Sequence, residues 1–167
     1  KAPPSSSPNI SSSLVGGQEN FLEEKFICFA YRYRYEEDEY SATSEWSKPS
    51  FSPKPFSLSS SSYLNEGMTN STNTCTITFN SGNDLVVGVD LLFKEIANNT
   101  IFVIEKLNKV EQGYLDNTDY QYSFTNSKIY TVLPSEEILR AYDNVPLLSK
   151  AQTLMGNRLM YGNYIEG

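Results

Sequence analysis

Apolar residues alternate with polar ones through most of this chain, in short runs separated by Gly, Asn, Ser and Pro. The first run is Phe26-Ile27-Cys28-Phe29-Ala30-Tyr31-Arg32-Tyr33-Arg34-Tyr35. Its odd positions are Ile, Phe and three Tyr, and its even positions pass from Phe, Cys and Ala to two Arg. A period of two predicts a strand, buried on both faces at first and amphipathic afterwards. Glu36 to Glu39 predict a turn, and Tyr40 to Ser47 a returning strand with Tyr40, Ala42 and Trp46 on one face. Pro49 and the Ser/Pro-rich run 49–62 end that hairpin.

Further strands follow at regular spacing: Thr74 to Phe79, Leu85 to Ile96, Ile101 to Leu107, Tyr120 to Phe124 and Ile129 to Leu133. The turns between them are rich in Gly and Asn, as at 81–84 and 97–100. This spacing predicts a mainly β chain arranged as a β-sandwich. Pro134 to Tyr142 predicts one short helix, with a Ser cap, acids in the first turn and a stop at 143–146. Residues 151–164 predict a C-terminal hairpin around Gly156-Asn157. Residues 1–20 read as a linker: nine of the first thirteen are Ser or Pro, too little apolar content to offset ordering entropy. The organisation expected is therefore a linker (1–20), an aromatic hairpin (21–56), sandwich strands (57–133) and a helix with hairpin (134–167).

Composition narrows the chemistry. The chain has 167 residues, net charge −7 and no His. The acidic balance disfavours a protein that wraps nucleic acid. Without His, the commonest general base, the Ser-His and Cys-His pairs and most zinc sites are gone. Two Cys, Cys28 and Cys75, make neither a disulfide scaffold nor a four-ligand zinc site. They read as small buried thiols, with a single bridge as the alternative. No apolar window is long enough for a transmembrane helix. The chain starts without Met and stops after Tyr164-Ile165-Glu166-Gly167, which suggests an interior piece of a longer polypeptide.

Candidate sites reduce to structural roles. Consecutive carboxylates at 36–39 point alternately to opposite faces, so a solvated hairpin tip is expected rather than a Ca²⁺ site. Tyr31, Tyr33 and Tyr35 face away from Arg32 and Arg34, so core packing is expected for the tyrosines. The arginines are expected to pair with Glu45 or the turn acids. Asp90, Glu95 and Glu105 read as solvent-face residues rather than a glycosidase pair. No catalytic residue, cofactor, metal ligand or small-molecule substrate is expected, and the chain reads as a non-enzyme.

Two resemblances follow from longer motifs. Tyr31-Arg32-Tyr33-Arg34, with Glu39-Tyr40-Ser41 and Ser44-Glu45-Trp46-Ser47-Lys48-Pro49, resembles the last two strands of a fibronectin type III domain. Phe29 to Tyr35 with Glu39 to Ala42, Val89 to Glu95, Tyr130 to Pro134, and Asn144 to Leu147 through Gly156 to Tyr164 are together similar to tail nozzle (muzzle, or stabilisation) proteins of short-tailed, crAss-like bacteriophages. The last stretch is the most specific, and in that family it leads into a further β module. These stretches cover most of residues 21–167.

The resemblance implies a structural virion protein, assembled in the bacterial host cytoplasm and located in the phage tail. It implies a self-assembled ring, typically of six copies, around the DNA exit channel, contacting other tail and portal-proximal proteins. DNA would pass without sequence-specific binding, with no membrane anchor. A net acidic wall would repel DNA and let it slide. Interface candidates are Tyr31, Tyr33, Tyr35, Trp46, Arg158, Tyr161 and Tyr164. The fold implied is a fibronectin/Ig-like sandwich. Beyond the resemblance, the order of the strands leads us to expect that those of 24–47 complete those of 57–133 in permuted order, with Cys28 and Cys75 on facing sheets. The rival expectations are a fibronectin-like adhesin binding glycan or protein through loops such as Tyr114 to Tyr122, and an accessory domain of a secreted polysaccharide-degrading enzyme.

Overall fold

A computed structural model describes residues 2–36, 39–138 and 146–166. Two antiparallel sheets face each other across an aromatic core. The first sheet contains β1 (Asn9–Ser13), β3 (Thr74–Asn80) and β6 (Asp119–Phe124), in the order β1-β3-β6. The second contains β2 (Ile27–Tyr35), β4 (Val86–Glu95), β5 (Ile101–Asn108) and the short β7 (Thr131–Val132), in the order β2-β4-β5-β7. Helical turns α1 (Lys109–Gln112) and α2 (Ser135–Ile138) interrupt the strands, and β8 (Pro146–Met155) and β9 (Arg158–Glu166) form a separate hairpin.

The period-two alternation sets which side chains enter the core. Ile27, Phe29, Tyr31, Tyr33 and Tyr35 on β2 meet Cys75, Ile77 and Phe79 on β3 and Val89, Leu91 and Phe93 on β4. Phe29 packs edge-on against Phe124 at 5.2 Å, and Phe93 lies 5.2 Å from the same ring. Because β2 pairs with β4 from Ile27↔Glu95 to Tyr35↔Val86, the N-terminal aromatic strand is an integral strand of the larger sheet. Cys28 and Cys75 lie on different sheets and both are free thiols. Cys75 points into the core, whereas Cys28 alternates outward with Ala30 and Arg32, so the two cannot bridge.

The returning segment after β2 departs from the expected strand. Ser41, Ser44, Ser47 and Ser50 donate backbone N–H bonds to the carbonyls of Tyr33, Tyr31, Phe29 and Ile27, at 2.8–3.0 Å. Three residues therefore face every two of β2, one extra residue per repeat, which is a bulge repeated along an edge. Two residues of β2 advance about 7 Å, so the facing triplets are compressed to roughly 2.2 Å per residue. The serine hydroxyls make this possible. Ser41, Ser44 and Ser47 Oγ accept the N–H of Tyr33, Tyr31 and Phe29 at 3.0–3.1 Å, and each donates to the carbonyl of the next residue. The period is three, not two, so Tyr40, Ala42 and Trp46 do not define the inward face; the serines do. Ser50 Oγ instead contacts Cys75 Sγ at 2.8 Å and Ser12 Oγ at 2.7 Å, joining the edges of the two sheets.

The expected linker of residues 1–20 contains a strand. β1 pairs with β3 from Asn9↔Thr78 to Ser13↔Thr74. An edge strand needs backbone partners more than apolar mass, and Ile10 alone supplies a side chain packed on the core. The expected last sandwich strand is only the two residues of β7. The expected helix is represented by α2, and its remainder, with the stop at 143–145, lies outside the described residues, as do Glu37 and Asp38 of the acidic turn.

Removing the hydroxyl of Ser44 leaves the buried Tyr31 N–H without that acceptor. Ser44→Ala is expected to destabilise by about 1–3 kcal/mol, whereas exposed Lys48→Ala stays within about 0.5 kcal/mol. Chemical denaturation of the two variants checks the difference.

Candidate functional site

Arg32 is the residue around which the outer face of the larger sheet is built. Its neighbours along β2 are core tyrosines, so alternation sends Arg32 to the opposite face. Register places it beside Asp90 on β4, and Asp90 beside Lys106 on β5. A sheet face with these three residues would ordinarily be solvated. Here the chain leaves the edge strand β7 and residues 133–138 cross the face as a strap, with Glu137 bonded to Arg32; Arg32 is 3% and Asp90 0% exposed.

The guanidinium spans two carboxylates. Nε and Nη2 donate to Asp90 Oδ2 at 3.2 and 3.1 Å, and Nη1 donates to Glu137 Oε2 on α2 at 2.6 Å. The Tyr40 ring covers the guanidinium at 3.9 Å, a favourable cation–π position. Burial pushes the Asp90 carboxyl up from its ordinary range, and the adjacent Arg32 charge opposes that shift. Asp90 Oδ1 and Arg34 Nε are both buried without a hydrogen-bond partner. Arg34 lies over Gly88, where a Cβ would stand 2.6 Å from its guanidinium and 2.7 Å from the Leu107 backbone carbonyl oxygen; the fixed carbonyl is why only glycine fits.

Beside this cluster is an open cavity of about 440 Å³, lined by Arg32, Lys106, Val132, Pro134 and Glu137 among others. A second, smaller apolar group, Leu92, Ile101 and Leu133 with Trp46 and Val103, packs the same outer face. Lys94 Nζ sits 4.3 Å from the Trp46 ring. The chemistry of the arrangement is electrostatic: a planar fork grips two carboxylates and fastens the strap to the sheet.

Sequence reasoning paired Arg32 with Glu45 or the turn acids and placed Asp90 on a solvated face. Both are corrected by the strap, because a segment from 40 residues further along the chain buries that face. The available signal was a lone acid inside the apolar run Val86 to Phe93, facing an arginine inside an aromatic strand. Glu137 and Tyr40 carried no comparable signal.

The interface candidates do not form one surface. Tyr31, Tyr33 and Tyr35 are core residues, 1%, 8% and 5% exposed. Burial raises the Tyr33 phenol well above its ordinary value, and Tyr35 Oη donates to Ala2 O at 2.7 Å. Trp46 is half-buried. Arg158 and Tyr161 are exposed on the terminal hairpin, where Tyr164 lies opposite Ser149; the Tyr164 side chain is outside the described part. The tyrosines of the 114–122 loop are engaged in packing: Tyr114 stacks on Tyr120 at 3.9 Å and meets Phe79. Among the described residues no group of three or more Cys, Asp or Glu is placed to hold a metal, and no helix is long and apolar enough to cross a membrane.

No protein-family model, curated protein or solved structure matches the chain.

Arg32→Met strips the buried Asp90 carboxylate of both its hydrogen bonds and its nearest opposite charge, and is expected to destabilise by about 3–5 kcal/mol. Arg32→Met combined with Asp90→Leu recovers most of that loss, giving a strongly non-additive cycle by urea unfolding. A second readout is pH. With its carboxyl raised in the folded state, Asp90 makes the native chain bind more protons than the unfolded chain above pH about 4. Its contribution to stability therefore falls as pH rises through that window. Asp90→Asn removes this negative slope, as measured by unfolding midpoints between pH 4 and 7.

Proposed function

We propose that this chain is a structural segment of a phage tail nozzle ring around the DNA exit channel, built on a fibronectin type III-like sandwich of permuted strand order. The observation that carries the reading is the terminal hairpin. Its residues 146–166 coincide with the most specific stretch of the resemblance, the one that leads into a further β module in the nozzle family. Leu154, Met155, Leu159, Met160 and Tyr161 are all at least half exposed on it. Two isolated strands are marginal in water, so such a hairpin gains its stability from a neighbour. The strand arrangement supports the permuted sandwich, because β2 and the serine segment supply what would ordinarily be the last two strands.

The mechanism is mechanical. Rigid sheets pack copies into a ring, and the clamped strap transmits load between the sandwich and the hairpin that follows it. The chain's net charge of −7 suits a channel wall along which DNA slides.

Light scattering and negative-stain imaging of the polypeptide that contains this segment test the reading. The expected result is a ring of about six to twelve subunits with a central hole, a closed cyclic assembly. A stable monomer that binds a glycan in an array screen overturns it in favour of the adhesin reading.

A further inference from the structure

One end of the sandwich is a rigid platform built on a buried lysine. Lys109 Nζ donates to Asn83 O at 2.7 Å, to Gly82 O at 3.4 Å and to Asp116 Oδ1 at 2.6 Å. Asn117 N–H donates to Gly82 O at 2.7 Å, and Ser81 N–H to Thr118 O at 2.9 Å. The β3–β4 turn and the loop from α1 to β6 are thereby tied together. Asn108 caps α1 by accepting the Val110 N–H at 3.0 Å. The lysine charge is 6% exposed and engaged by internal acceptors. The platform's surface instead presents Leu85, Val110 and Leu115, 64%, 87% and 70% exposed. Exposed Asp84, Glu111, Asp116 and Asp119 intersperse them.

The terminal hairpin has the complementary character. Gln152 pairs with Tyr161 and Leu154 with Leu159, so Leu154, Leu159 and Tyr161 share one face with Lys150. Between residues 149 and 163 the only charges are Lys150 and Arg158. Residues 146–167 carry these two bases and Glu166, a net +1, so the remainder of the chain carries −8. Both surfaces pair exposed apolar side chains with a single sign of charge, and the signs are opposite.

We propose that the hairpin of one copy docks on the Leu85–Val110–Leu115 platform of a second copy. Leu154, Leu159 and Tyr161 cover the apolar side chains, and Lys150, on the same face, meets the carboxylates. The two patches are different surfaces of one chain, so the contact is head-to-tail, the type that closes into rings. This rests on the self-assembling reading above and identifies its contact.

Sedimentation velocity of the 167-residue chain, over a concentration series at fixed salt, tests it. Lys150→Glu, or Asp84→Lys with Glu111→Lys, is expected to weaken association by about tenfold through like-charge contact. The three changes together restore it to within about threefold of the natural chain, because the attraction is re-formed with signs reversed. All three residues are exposed, and circular dichroism verifies that the variants fold. Association that is unaffected by either swap overturns this contact while leaving the ring reading in place. A chain that stays monomeric throughout, from a parent that forms no ring, overturns both. A Leu159→Cys and Leu115→Cys pair that cross-links within one monomer overturns the second copy as the occupant.

Discussion

β2 has two edges, and every polar backbone group along both must find a partner before its five core-facing side chains can be buried. One edge is filled by β4 in ordinary antiparallel register. The other is filled by serines at every third position, all four donating a backbone N–H, and Ser41, Ser44 and Ser47 also using the hydroxyl oxygen and the hydroxyl proton. Without that second row the most aromatic strand of the molecule would be an exposed edge, with the attendant risk of pairing to another chain. With it, the same strand becomes internal, and the repeated bulges and Pro49 leave an outer margin poorly shaped for further strand addition.

Burying the opposite face of the same strand creates the Arg32 cluster. Once Arg32 is placed opposite Asp90, the pair is stable in a dry site only if the guanidinium's remaining donors are used. Glu137 uses one, and in doing so pins the 133–138 strap over the sheet. The apolar group around Leu92 and Leu133 completes the cover. A buried ion pair is weak evidence for net stability, but it is strong in register: only one alignment of β2, β4 and the strap lets the fork reach both carboxylates. In a segment proposed to carry load between modules, that geometric selectivity matters more than the energy of the pair.

The hairpin of β8 and β9 follows different physics. The sandwich closes on itself around Phe29, Phe93 and Phe124, whereas the hairpin shows apolar side chains on both faces. Its sequence alternates as a strand should, but alternation against water on both sides has no core to choose an inside. Platform and hairpin therefore each leave large apolar side chains open to water.

Period-two runs sufficed to place β2, β3, β4, β5 and β6 within a residue or two, because alternating apolar side chains are a local property of a half-buried strand. The Gly156-Asn157 hairpin was legible for the same reason, since turn chemistry is local. β1 was not legible, because an edge strand stabilised by backbone pairing leaves almost no apolar trace. The serine segment was misread as a period-two strand, although Ser41, Ser44, Ser47 and Ser50 stand in the sequence at a spacing of three; only the neighbouring β2 carbonyls give that spacing meaning. Asp90 and Arg32 were visible as charges among apolar residues, but their burial was not, because it depends on Tyr40 and on the strap of residues 133–138. The amino-acid order by itself determined the strands, the turns and the sign of the surface, all consequences of short-range sterics and solvation. Tertiary structure alone decided which edge β2 shares with the serines and which charges lose their water, since both depend on segments distant in the chain arriving at one place.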